Sequence, residues 1–265
     1  MSITGHYVEV HGTSTYYETN DPAKTKIVCI HTAGRENRQW HGMMACLAGK
    51  YQLIALDMPG HGKTYPLEGN RCIDNRDDYA AFIWDFAQAL GLPNPIMMGC
   101  SLGGNLVLQL AQVYPVKAIV CMQGSDYTPS ISPTALAMMT HPYVSMQHSH
   151  LDFTESLIGT SPDPGAKDFL MWSVAQSVPV AHQKDLSIYT SFDLRPTMPK
   201  ITCPVLMIRG EDDWLVSQDL TDGTRSRLMN AAKLVYERLE GVGHFPHVEK
   251  PKAISAMVEN FLNQL

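Results

Sequence analysis

The feature that most constrains the fold of this chain is a repeated alternation of short apolar runs with helical segments. The runs at 26–31, 52–56 and 95–99 are short and continuous, which is typical of strands buried on both faces. Strands that alternate with helices of roughly 10–15 residues predict right-handed crossovers and a parallel sheet. The sequence therefore predicts an α/β fold.

The remaining elements extend this pattern on both sides. A turn at His11-Gly12 favours two antiparallel strands in the first twenty residues. Further strands are expected at 117–122, 204–209 and 233–238, and helices at 37–47, 74–90, 102–114, 217–232 and 248–265.

The alternation stops between residues 125 and 200. This stretch has no clear strand pattern, and it is rich in Met, His, Pro and aromatic residues with scattered helical periodicity. A helical insertion late in a parallel sheet is expected to lie over the carboxyl ends of the strands, where such sheets bind ligands. We therefore expect a core domain formed by 1–124 and 201–265, with a helical cap or lid at 125–200.

Composition narrows the possible partners. The chain has 265 residues, a formal net charge of −6 and a pI near 6.0, and its Lys and Arg residues form no basic run. Nucleic acid and anionic membranes are therefore not expected as partners. The start of the chain does not resemble a secretory signal, and no apolar stretch approaches the roughly 18 residues of a membrane span. The six cysteines are scattered without a C-x-x-C pair, which favours free thiols and a cytoplasmic location.

A G-x-S-x-G motif gives the strongest chemical signal. Gly99-Cys100-Ser101-Leu102-Gly103 follows a predicted strand and precedes a predicted helix, which is the context that a nucleophile elbow requires. So sharp a reversal strains the backbone at the serine, and the flanking glycines avoid side-chain clashes there. The motif predicts Ser101 as a nucleophile, although a phosphate-binding turn has a similar glycine pattern.

A serine nucleophile needs a base, and the base needs an anionic partner. Among the eleven histidines, His244 lies in the glycine-containing loop between the last strand and the last helix, and His247 is its rival. For the acid, three adjacent carboxylates at 211–213 follow a predicted strand. We prefer Asp213, with Asp212 as the alternative. The chain order of serine, acid and histidine is that of α/β-hydrolases.

An oxyanion formed at Ser101 needs two hydrogen-bond donors. The backbone N–H of Leu102, at the start of a helix, is one candidate. The second is expected in the loop after the 26–31 strand, and we assign it to the N–H of Ala33.

Together these motifs resemble the α/β-hydrolase superfamily, in particular its small cap-bearing branch of esterases, lactonases, haloperoxidase-like proteins and carbon–carbon bond hydrolases. The resemblance covers nearly the whole chain and includes the 31–34 loop, the Pro-Gly-His-Gly segment at 59–62 and the three loops discussed above. It implies an α/β-hydrolase fold with a mostly parallel eight-stranded sheet flanked by helices. It also supports Asp213, the third residue after the glycine that closes its strand, and implies a structural role for His61.

The sequence departs from this family in the first loop. Thr32 occupies the position that is usually glycine, which leaves the oxyanion assignment of Ala33 weaker. Arg35, Glu36 and Arg38 follow where relatives often have small or apolar residues. We favour capping of the next helix for them, with the mouth of the pocket as the alternative.

The expected activity is that of a serine hydrolase resembling carboxylesterases (EC 3.1.1), cleaving a small, largely apolar ester or lactone through an acyl-enzyme. Ser101 argues against haloalkane dehalogenases and related epoxide hydrolases, which use aspartate at the elbow. Two alternatives stay open: a carbon–carbon bond hydrolase of a vinylogous keto acid, which would need Arg35 or Arg38 for the substrate carboxylate, and a ligand-binding receptor that retains the triad.

The sequence also offers candidate residues for contacts with the substrate. They are Thr32, Arg35, Met138, Met139, Trp172 and Trp214. Neither a cofactor nor a metal is expected, because His141, His148 and His150 have no accompanying cluster of cysteines or carboxylates at a familiar ligand spacing. The expected partner is a small-molecule substrate, and a homodimer is left open.

Overall fold

The computed structural model describes residues 2–130, 132, 134, 137, 141, 143 and 145–265. Its centre is an eight-stranded sheet in the order β1-β2-β4-β3-β5-β6-β7-β8. The strands are β1 (Thr4–Val10), β2 (Thr13–Thr19), β3 (Thr25–Ile30), β4 (Tyr51–Leu56), β5 (Ile96–Cys100), β6 (Ala118–Met122), β7 (Val205–Gly210) and β8 (Leu234–Leu239).

The sheet is parallel from β4 to β8, and β1 and β2 add an antiparallel edge. The turn between β1 and β2 has positive φ at both His11 (51°) and Gly12 (72°), as expected for a tight two-residue hairpin. This arrangement confirms the predicted fold: a mostly parallel eight-stranded sheet flanked by helices.

The helices before β7 are α1 (His41–Leu47), α2 (Arg76–Ala89), α3 (Leu102–Val113), α4 (Met146–Ser156), α5 (Ala166–Ala175) and α6 (Pro179–Tyr189). Those after it are α7 (Gln218–Arg227), α8 (Pro246–Glu249) and α9 (Pro251–Leu262). Short 3₁₀ turns at Asn37–Trp40 and Arg195–Lys200 precede α1 and β7. None of the helices in the described part of the chain is both long and apolar enough to cross a membrane.

Apolar side chains cover both faces of the sheet. Along β3, Val28 and Ile30 belong to a core shared with α2 and α3, whereas Ile27 and Cys29 belong to a second core shared with α1 and α9. Strict alternation between two buried faces explains why this strand is apolar at every position from Ile27 to Ile30. The two cores fix the strand ends from which the loops of the site emerge.

Two predicted helices end differently in the structure. The helix expected at 217–232 ends at Arg227, and Ala232 instead donates a backbone hydrogen bond to Thr202 at the entry to β8. The helix expected at 248–265 is split into α8 and α9 at Lys250, because Pro251 disfavours helical geometry in the residue before it.

The stretch from 125 to 200 contains α4, α5 and α6. Within its described residues there is no strand, and the pairing of Tyr127 with Asp193 is an isolated bridge. The division of the chain into a core and a separate cap domain stays a prediction.

Candidate active site

Ser101 lies on a sharp turn between β5 and α3. Its backbone has φ 58° and ψ −119°, a conformation that non-glycine residues rarely adopt. A β-carbon on Gly99 would approach the carbonyl oxygen of Gly103 to 2.2 Å, and one on Gly103 would approach that of Ile30 to 2.4 Å. The two glycines of the motif are therefore required for the chain to turn here, and the turn places Ser101 at the wall of a cavity.

His244 and Asp213 form a buried pair beside this serine. The Nδ1 atom of His244 lies 2.7 Å from Oδ2 of Asp213. The other carboxylate oxygen of Asp213 accepts the backbone N–H groups of Leu215 at 2.8 Å and Val216 at 3.3 Å. Three hydrogen bonds thus fix the carboxylate, and the carboxylate fixes the plane of the imidazole. His244 lines the same cavity as Ser101.

The two rival residues lie in other surroundings. Asp212 accepts hydrogen bonds from the backbone N–H and the hydroxyl of Thr160, at 2.8 and 2.7 Å. His247 is fully buried in α8, with its ring 4.5 Å from that of Trp40 and both ring nitrogens without a partner among the described residues. Burial, followed by the neighbouring His244, lowers the pKa of His247 to about 3. His247 is not among the described residues that line the cavity of Ser101, so it is not placed to accept the proton of this serine.

The loop after β3 forms a tight turn beside Ser101. The backbone N–H of Arg35 bonds to the carbonyl of Thr32 at 3.1 Å, which leaves Ala33 as the second residue of the turn and in the cavity wall. The hydroxyl and N–H of Thr32 both donate to Oε1 of Gln39, each at 3.2 Å. Leu102 is the first residue of α3, so its N–H has no acceptor within the helix.

Asp185 is a site residue that sequence reasoning missed. This residue lies on α6, and its carboxylate accepts hydrogen bonds from the backbone N–H of Gly34 at 2.7 Å, from Nε2 of His61 at 3.0 Å and from the hydroxyl of Tyr79. Burial alone would raise the pKa of this carboxyl, but the charge and hydrogen bond of His61, with further hydrogen bonds, lower it to about 2. The carboxylate therefore ties α6 to the loop that bears Ala33. The buried face of α6 contains Ala181, Asp185 and Ile188, and this helical spacing was the available signal.

The cavity has a volume of about 270 Å³. Its walls are mainly apolar, and they come from loops at the sheet and from α4 and α6. Besides Ser101, Ala33 and His244, the lining includes Thr32, Arg35, Thr128, Pro129, Ser130, Phe153, Thr154, Leu157, His182, Leu186, Tyr189, Trp214, Leu215 and Phe245. The structure thus brings three of the candidate substrate contacts, Thr32, Arg35 and Trp214, to the same cavity as the serine.

Trp172, another candidate contact, is not part of this lining. Trp172 is 41% exposed and packs instead against Phe169 and under the guanidinium of Arg38, which lies 4.5 Å from its ring centre. Met138 and Met139 lie outside the described residues.

The structure corrects the interpretation of Arg35 as a helix cap. Its side chain lies in the cavity wall, with hydrogen bonds to Ser177 at 2.9 Å and Thr154 at 2.7 Å. Glu36 makes no capping hydrogen bond either, and it pairs with Arg38 through both carboxylate oxygens.

The candidate metal histidines are dispersed. His148 is exposed beside Asp152, and His150 is buried against His182. Within the described ranges, no three His, Cys, Asp or Glu residues are grouped so that they could hold a metal ion.

Comparisons with known proteins agree with this architecture. A model of the alpha/beta hydrolase family matches residues 27–257. The chain is 23% identical to a pimeloyl-[acyl-carrier protein] methyl ester esterase of Yersinia pseudotuberculosis, covering 94% of this chain and 97% of that protein. It is 24% identical to the uncharacterized hydrolase YugF of Bacillus subtilis, covering 96% of each.

Among solved structures, the enol-lactonase from Burkholderia xenovorans LB400 superposes with a TM-score of 0.84 at 18% identity, covering 97% of this chain and 100% of that one. A bromoperoxidase from Bacillus anthracis gives a TM-score of 0.83 at 17% identity, covering 98% and 100%. At these identities the structures establish the fold alone. The chain belongs to the alpha/beta hydrolase family, which confirms the resemblance seen in its motifs. Its relatives support an enzyme of the hydrolase class.

Proposed function

We propose that this protein hydrolyses a small carboxylic ester or lactone through an acyl-enzyme on Ser101. The observation that carries the proposal is the position of Ser101 on a strained turn in the wall of a mainly apolar cavity, which it shares with His244, the histidine held by Asp213. The names of the ester-cleaving relatives support the same reaction class.

In the proposed reaction, His244 accepts the proton of the Ser101 hydroxyl as the oxygen attacks the ester carbonyl. Asp213 accepts a hydrogen bond from Nδ1–H of His244, so that Nε2 is the basic nitrogen, and its negative charge stabilises the imidazolium. His244 then returns the proton to the departing alkoxide. Water, activated by the same histidine, releases the acid from the serine.

Charge on the carbonyl oxygen is stabilised by the N–H groups of Leu102 and Ala33. Each donor that points at the oxyanion contributes roughly 2.7–4 kcal/mol to the transition state. The first is fixed by α3. The second is fixed by the turn at Thr32 and, through Gly34, by Asp185. Asp185 is thus proposed as a positioning residue for the oxyanion loop.

The test compares the purified protein with its Ser101→Ala variant on phenyl and p-nitrophenyl esters, lactones, amides and a dienone acid. We expect hydrolysis of short esters or lactones, a burst of alcohol release before the steady state, and loss of nearly all turnover in the variant with an unchanged circular dichroism spectrum. Wild-type turnover by Ser101→Ala would refute the proposal. Preference for the dienone acid would point to a carbon–carbon hydrolase, and ligand binding without turnover to a receptor.

A further inference from the structure

Arg35 is a buried cation in the wall of the candidate active site. The residue is only 4% exposed, although arginine is almost never fully buried without a charged partner. Two of its five N–H donors bond to the neutral hydroxyls of Ser177 and Thr154. Its Nε atom is buried and has no partner among the described residues.

No carboxylate compensates this charge in the described part of the chain. The nearby carboxylate of Asp185 is occupied by His61, Tyr79 and Gly34. The residues that the structure leaves undescribed include no Asp or Glu. Burial lowers the pKa of Arg35 to about 10, so the guanidinium remains protonated at neutral pH. An unpaired cation inside a protein is strongly unfavourable, and a bound anion removes that penalty.

Two histidines lie near this cation. The rings of His150 and His182 are 4.0 Å apart, and Nε2 of His150 and Nδ1 of His182 have no partner among the described residues. Burial, together with the charge of Arg35, lowers the pKa of His150 to about 4 and that of His182 well below its usual value. Both imidazoles are therefore neutral at pH 7. The cluster then offers one positive charge surrounded by neutral hydrogen-bonding groups, which matches a monoanion better than a dianion.

The cation shares its cavity with the proposed nucleophile. Arg35, Thr154 and His182 line the same cavity of about 270 Å³ as Ser101 and His244. Arg35 is also only two residues from Ala33, in the same turn. A small molecule held at Ser101 therefore occupies a cavity that Arg35 also lines.

We propose that the substrate has a free carboxylate in addition to the ester or lactone, and that Arg35 binds this carboxylate while Ser101 attacks the carbonyl. The substrate class is then the half-ester of a short dicarboxylic acid, or a lactone with a carboxylate side chain. The planar guanidinium donates two parallel N–H groups, a geometry that suits a carboxylate. This inference rests on the proposed ester hydrolysis at Ser101.

The kinetic test uses pairs of substrates that differ only in the charged end. Monomethyl esters of succinic, glutaric and adipic acids are compared with their dimethyl esters by pH-stat titration. We expect the best half-ester to exceed its neutral partner in kcat/KM on the order of 100-fold, the scale of hydrogen bonds to a charged group. Arg35→Gln should abolish this preference by lowering kcat/KM for the half-ester far more than kcat/KM for its neutral partner.

Arg38→Gln is the matched control. Arg38 is three residues away in the same segment, but Glu36 already neutralises it, and it is not among the described residues that line the cavity. This variant should retain the preference for half-esters. A wild-type enzyme that prefers the neutral esters would overturn the inference, as would an Arg35→Gln variant that loses both activities equally.

Binding supplies a readout that is independent of turnover. Monomethyl glutarate, a monoanion, is titrated by calorimetry into the Ser101→Ala protein and into the Ser101→Ala/Arg35→Gln protein, and the Tm of each is measured with and without this half-ester. We expect heat and a rise in Tm in the first protein only. Binding that survives without Arg35, or no binding to either protein, overturns the inference. If binding depends on Arg35 but the protein cleaves no ester, the anion site stands and the proposed function is rejected. If the protein cleaves esters without preferring a carboxylate, the proposed function stands and the anion site is rejected.

Discussion

Replacing Asp213 with asparagine tests the proposed triad most sharply. Asparagine has the same shape as aspartate, so its carbonyl oxygen can keep both backbone hydrogen bonds from Leu215 and Val216. Its amide nitrogen then faces Nδ1 of His244, where the wild-type carboxylate oxygen lies at 2.7 Å. Because an amide nitrogen donates, Nδ1 must become the acceptor, and the proton of the neutral imidazole moves to Nε2. His244 can then no longer act as the base, although the positions of the side chains at 213 and 244 are preserved.

The expected cost follows from this exchange of tautomers. An Asp→Asn change in such a triad lowers kcat by about 10⁴-fold, which corresponds to about 5.5 kcal/mol of transition-state stabilisation. The free energy of unfolding should change by no more than about 1 kcal/mol, since hydrogen bonds of similar geometry remain. The assay is kcat for a saturating phenyl ester, with Tm measured on the same preparations.

Asp212→Asn is the control for this experiment. Its side chain can keep an acceptor for Thr160, and it lies outside the serine–histidine pair. We expect kcat to stay close to the wild-type value, because the carboxylate of Asp212 bonds to Thr160 rather than to His244. If Asp212→Asn lost activity and Asp213→Asn kept it, the acid would be Asp212. If both variants stayed within tenfold of wild type, the triad reasoning would be refuted.

Three further perturbations test other parts of the structure. Asp185→Asn should lower the free energy of unfolding by about 1–3 kcal/mol, because an amide cannot accept all three of the buried hydrogen bonds that the carboxylate accepts; no measurable change in urea unfolding would contradict this. His247→Phe should reduce the slope of the free energy of unfolding against pH by up to about 1.4 kcal/mol per pH unit. Below pH 6.5 the unfolded state binds a proton at His247, whereas the folded state, in which the pKa of this residue is about 3, binds it only at lower pH. Equal slopes for both proteins between pH 6.5 and 4 would reject that account. Leu186→Phe, in the cavity wall, should shift the relative kcat/KM of short and long esters by about 1–3 kcal/mol, and an unchanged substrate ranking would argue against a specificity role for α6.

Local patterns were sufficient to predict the sheet and the turn at Ser101. Short apolar runs predict the buried strands. The motif at 99–103 predicts the sharp turn, because a β-carbon at Gly99 or Gly103 would collide with backbone atoms. Choosing among the carboxylates at 211–213 was harder. All three follow the same strand, and the preference for Asp213 drew support from family resemblance.

The contacts of Asp185 and Arg35 were beyond sequence reasoning. Asp185 bonds to partners 106 to 151 positions away in the chain. Arg35 reaches hydroxyls 119 and 142 positions away. Such contacts depend on how the helices of 125–200 pack on the sheet, and neither periodicity nor spacing reports that packing. Trp172 illustrates the same difficulty, because its aromatic character suggested a pocket although its surroundings are those of a surface.

The three hydrogen bonds of Asp185 have a consequence for engineering this enzyme. Replacing 125–200 with the sequence of another protein would remove the hydrogen-bond acceptor of His61, Tyr79 and the backbone N–H of Gly34. The replacement would need a carboxylate at the position equivalent to Asp185. The transplantable unit is therefore shorter than the whole insertion, and it ends before α6. Chimeras that exchange residues up to Ala175 and retain Pro179–Tyr189 should recover folded protein more often than chimeras that exchange both.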